Sequence, residues 1–80
     1  MEIEEELKNQ TEKMLKDIRE KRKYVNIDPD KKHLLNNLDA YISDTQHFLD
    51  KKDIIRAFEA IVYAWGILET LEHAEILEFK

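Results

Sequence analysis

Eighty residues with a hydrophobic fraction of 42% suffice for one domain around a single core, and not for two. A net charge of −5 disfavours non-specific binding to nucleic acid or anionic lipid, and the lack of cysteine removes disulfides, thiolate nucleophiles and Cys-type zinc sites. One Gly and one Pro are too few to turn a chain of short strands, so an all-β fold is excluded as well.

The chain opens on Glu2, Ile3, Glu4, Glu5 and Glu6, the opposite of the basic start of a signal peptide. No apolar run approaches the ~20 residues that a membrane span needs. A cytoplasmic address is the expectation. Helix one is predicted over about residues 3–23, because Ile3, Leu7, Met14, Ile18 and Val25 recur at the helical period, with Leu15 beside them. Gln10 and Thr11 interrupt that seam. Glutamates crowd the start and Arg19, Lys21, Arg22 and Lys23 the end, the order that the helix dipole favours.

A break follows at Val25–Asp30. Asp28 reads as an N-cap and Pro29 as the first helical residue, where its missing N–H costs nothing. Helix two is predicted over about residues 29–49. Its seam, Leu34, Leu38, Tyr41, Thr45 and Phe48, alternates four- and three-residue steps, and Leu35, Ile42 and Leu49 widen it on one side. The four residues Asp50–Asp53 allow only an antiparallel reversal, with Asp53 as the next cap.

Helix three is predicted over about residues 54–78. Ile54, Ile55, Phe58, Ile61, Val62, Trp65 and Ile76 share one face, and Ala57, Ala60, Ala64, Ile67, Leu68 and Leu71 continue it round the side. The apolar arc spans about 240°, more than an ordinary amphipathic helix presents. The fold expected is all-α, an up-and-down antiparallel three-helix bundle. Two partner helices cannot use the whole arc, so Ala57, Ala60, Ala64, Ile67 and Leu71 are assigned to contact with another subunit.

The stretch from Asp53 to Glu69, with Arg56-Ala57-Phe58-Glu59-Ala60 and Tyr63-Ala64-Trp65-Gly66 within it, resembles a family of short archaeal proteins. It is domain-of-unknown-function family 357. The resemblance implies an up-and-down three-helical bundle in an archaeal cytoplasm, and it implies no reaction.

Several residues are candidates for chemistry, each with a plainer alternative. Gly66, inside helix three, costs about 1 kcal/mol relative to Ala, which suggests close approach of a backbone, ring or ligand; tight helix packing is the simpler reason. Glu69 and Glu72 fall within the apolar face, where a carboxylate must be paired or neutralised, unless the bundle splays there. With Trp65, Gly66 and His73 they outline a polar pocket suited to a cation. His33, His47 and His73 each follow an acidic residue by one helical turn, but no second ligand pair completes a metal motif, so surface pairs are favoured. Arg19, Lys21, Arg22, Lys23, Lys31 and Lys32 could form one basic patch. Only Tyr24 adjoins it, so solvated helix ends are favoured over nucleic-acid binding.

No phosphate loop, Ser/His/Asp arrangement or His-Glu-x-x-His is present, and no enzyme and no cofactor are expected. The first functional expectation is a structural or protein-interaction module that forms a homodimer or docks on another protein. A small-molecule or cation-binding bundle comes second, and a nucleic-acid accessory protein third.

Overall fold

The computed structural model describes residues 2–80. Helix α1 runs over Glu2–Arg22, α2 over Asn36–Asp50 and α3 over Ile54–His73. Together they form a three-helix bundle, a rod of 45 × 18 × 17 Å. Between α1 and α2 lie strand β1, Val25–Ile27, and a 3-10 helix over Pro29–Leu35; strand β2, Leu77–Phe79, follows α3.

Asp28 caps the 3-10 helix as expected, accepting a hydrogen bond from the Asp30 N–H at 3.1 Å, with Pro29 directly after it. Helix two therefore begins as seven residues of the tighter helix and becomes α-helical only at Asn36. The buried seam is rotated from the expected one. Leu35, Leu38, Ile42 and Thr45 are buried, while Leu34, Tyr41 and Phe48 are half-buried. Leu35 and Ile42, expected to widen the stripe, thus join Leu38 and Thr45 in it, while Leu49 is half-buried.

Thr11, expected to interrupt the seam of α1, is fully buried alongside Leu15 and Ile18. Its hydroxyl donates to the Leu7 carbonyl at 2.7 Å, and Thr45 does the same to Tyr41 at 2.8 Å. A hydroxyl satisfied by its own helix can enter a core without a partner from elsewhere. No buried side-chain polar atom among the described residues lacks a hydrogen bond.

Helix three is continuous but stops at His73, five residues short of the predicted end. The reason is a Schellman closure: Glu75 N–H donates to the Glu72 carbonyl at 3.0 Å and Ile76 N–H to the Leu71 carbonyl at 2.9 Å. Glu75 takes φ 59° to make this turn, a conformation usually given to glycine. Helix α2 ends identically. Lys52, at φ 62°, donates to Leu49 at 3.0 Å, and Asp53 N–H donates to Phe48 at 2.8 Å.

The turn after α3 sends Leu77–Phe79 back along the chain that leaves α1. β1 and β2 pair antiparallel, Val25 opposite Phe79 and Ile27 opposite Leu77, and Lys80 N–H donates to the Tyr24 carbonyl at 2.8 Å. This ribbon was not anticipated. It places the ends of α1 and α3 together, so those two helices run parallel and α2 antiparallel to both. Leu77 is buried there with Leu15, Ile18, Leu35, Leu38, Ile42, Ile61, Ala64, Leu68 and Leu71.

Candidate interaction surface

The core-facing side of α3 consists of Ile54, Ala57, Ala60, Ile61, Ala64, Leu68 and Leu71. Alanines at these positions let α1 and α2 approach α3 closely. Of the five residues assigned from sequence to a partner, Ala57, Ala60, Ala64 and nearly all of Leu71 are thus covered by the chain itself, and Ile67 is half-buried. The apolar arc is wide, but its buried centre lies on the alanine side.

The opposite side of α3 faces outward with Ile55, Glu59, Val62, Tyr63, Gly66, Thr70 and His73, all exposed and spaced three or four residues apart. Ile55 is 68% exposed, Val62 43% and Tyr63 59%, which is unusual for three large apolar or aromatic side chains on one helix face. Val62, Tyr63, Gly66, Ile67, Thr70 and Leu71 line a shallow, open groove. Tyr63 leans on Tyr41 of α2, ring centroids 5.5 Å apart, which steadies one wall of it.

Gly66 is the floor. A Cβ built there meets nothing within 4 Å, so no backbone or ring of this chain requires the glycine. The close approach expected at this position has no partner within the chain.

The outlined polar pocket is not assembled. Trp65 is half-buried, and its indole N–H donates to the Met14 carbonyl at 3.1 Å, locking α3 to α1. Trp65, Gly66 and Glu69 border a groove along α1 with Gln10, Lys13, Met14 and Asp17. Glu72 borders a different hollow, with Asp28, Glu75 and Glu78, and His73 lines neither. Glu69 is exposed because the buried side of α3 lies away from it, and Glu72 is half-buried at the rim near the end of the helix. No group of three or more His, Asp or Glu able to hold a metal occurs among the described residues.

The basic cluster is also divided. Arg22 forks onto Asp39 at 2.8 and 3.0 Å, and Arg19 donates to Gln46 at 3.2 Å. Lys23 pairs with Glu20 at 3.3 Å. Lys21 lies 4.6 Å over the Phe79 ring and 5.8 Å from that of Trp65, a cation–π contact that ties α1 to β2. The Arg22 guanidinium is held above its ordinary pKa, chiefly by the hydrogen bond to Asp39. Four of the six cations thus have partners within the chain.

No helix of the described residues is long and apolar enough to cross a membrane. The molecule is a small helical bundle closed at one end by a two-stranded ribbon, without a catalytic or metal-binding constellation among its described residues. It belongs to the family described as protein of unknown function DUF357, whose profile matches residues 8–77. The crystal structure of protein AF1782 from Archaeoglobus fulgidus, of the same family, is similar over 98% of this chain and 99% of that one. The two are 40% identical, with a TM-score of 0.89. No curated protein matches the chain. The family resemblance carried by Asp53–Glu69 is confirmed.

Proposed function

We propose that this chain is a protein-interaction module that self-associates through the outward face of α3. The observation that carries the reading is the exposed row Ile55, Val62 and Tyr63 beside a glycine for which the chain's own packing has no use. Single exposed apolar residues are ordinary, but a contiguous apolar groove marks a contact surface. A glycine on a helix face permits the backbone of a second helix to come close. Its helical cost of about 1 kcal/mol is then offset in the assembly rather than in the single chain. A cytoplasmic setting fits the same reading.

One helix face buries less than the ~800 Å² per partner of a standard interface, so the association is reversible, with a dissociation constant on the order of micromolar to tens of micromolar. Sedimentation velocity from micromolar to millimolar protein is the test. The expected outcome is a concentration-dependent monomer–dimer equilibrium that Gly66→Gln shifts to monomer while leaving the helical circular dichroism intact. A wild-type chain that stays monomeric at millimolar concentration overturns the proposal.

A further inference from the structure

The geometry points to an antiparallel pairing of α3 with α3 of a second copy, with the two-fold axis passing beside Gly66. This inference rests on self-association through the same face and adds its orientation and register.

In a closed two-fold dimer, a residue i that meets j is matched by j meeting i. With Gly66 opposite Gly66 of the second copy, position 59 falls opposite position 73. Both lie near the centre of the outward face, two turns to either side of the glycine, and both are exposed. Antiparallel pairing therefore sets the Glu59 carboxylate against the His73 imidazole of the second copy, an acceptor against a donor, twice. Parallel pairing sets Glu59 against Glu59 and His73 against His73.

The rest of the molecule favours the same choice. Because α1 and α3 are parallel, Glu2, Glu4, Glu5 and Glu6 lie at the end of the rod where α3 begins. Parallel copies would bring two acidic ends together, whereas antiparallel copies keep them apart and oppose the helix dipoles favourably. Gly66 lies past the midpoint of α3, so the seam is centred towards the ribbon end. Val62 and Tyr63 flank the crossing on one side, and Thr70 is one turn beyond it on the other.

The chain has no cysteine, so introduced thiols report proximity without background. Under mild oxidation, near the concentration at which the wild type dimerises, Gly66→Cys is expected to form a disulfide-linked dimer on a denaturing gel. Glu59→Cys mixed with His73→Cys is expected to give the linked heterodimer, while neither variant alone links to itself. Self-linking of Glu59→Cys and of His73→Cys shows a parallel seam and overturns the inference. A dimer by sedimentation in which none of these variants links overturns it too, by placing the contact elsewhere. A monomer by sedimentation instead removes the self-association reading itself. As an independent readout, Glu59→Lys is expected to weaken dimerisation about threefold to tenfold, and adding His73→Glu to restore it. Failure of the double variant to recover counts against the register.

Discussion

Three residues adopt positions that their chemistry would not select, and each is open to a direct measurement. Gly66 has empty space where a Cβ would go. In dilute solution, where the monomer dominates, Gly66→Ala is expected to stabilise the fold by about 0.5–1 kcal/mol, the difference in helix propensity, seen as a raised thermal midpoint. Lys52 and Glu75 sit at φ 62° and 59° in the two helix-closing turns. Left-handed backbone costs a residue with a Cβ roughly 1–2 kcal/mol, and glycine returns part of that gain as unfolded-state entropy. Lys52→Gly and Glu75→Gly are each expected to add about 0.5–1 kcal/mol in urea denaturation. These positions explain where the sequence was hard to read. A helix stop is signalled by glycine, and with Glu75 in that role the predicted third helix runs on to residue 78, whereas at Lys52 the charged Asp50–Asp53 stretch marks the stop without one. The caps at Asp28 and Asp53 were legible because a carboxylate accepting from a backbone N–H is the ordinary chemistry of those positions.

At the level of the elements, the three helices were legible from apolar periodicity and the ribbon was not. Val25–Ile27 and Leu77–Phe79 are three residues each, too short for alternation to register, and what they satisfy is a pairing across the whole chain. Which side of α3 faces the core is hidden in the sequence for a related reason. A wide apolar arc has a centre that composition alone does not locate, and the bulky residues Ile55 and Val62 drew it away from the small ones. In the structure the alanines lie inside because they let helices close together, and the sequence offers no weighting for that. The ribbon carries its own prediction. Leu77 is almost fully buried, so Leu77→Ala is expected to cost about 2–4 kcal/mol. Amide exchange should then rise first in β1 and at the end of α3, since the ribbon joins few buried residues. Uniform loss of protection across all three helices would show instead that the ribbon and bundle unfold as one.

For the whole molecule, charge and shape act together. The Arg22–Asp39 fork joins the end of α1 to α2 at the surface, where a two-pronged pair is worth about 0.5–1 kcal/mol. Asp39→Asn is expected to lose that amount at low salt and less at 1 M salt. The folded pKa of Arg22 is raised, so its share of stability is complete below the unfolded value and lost only as pH climbs through the folded one, far above neutrality. Titrating the protein between pH 6 and 9 should leave this contribution unchanged. The candidate surface was only partly legible: helix three and Gly66 were singled out from the residues. Which side of the helix remained free depended on how the other two docked.

Because β1 is laid down directly after α1 and its partner strand lies some fifty residues downstream, the seal on that end of the rod waits for residues that follow all three helices. Any nascent chain that has not yet emerged past Phe79 exposes Val25 and Ile27, along with the end of the α1 seam. A protease that clips between His73 and Leu77 would return the molecule to that unfinished state, leaving the outer helix face intact while opening the interior beneath it.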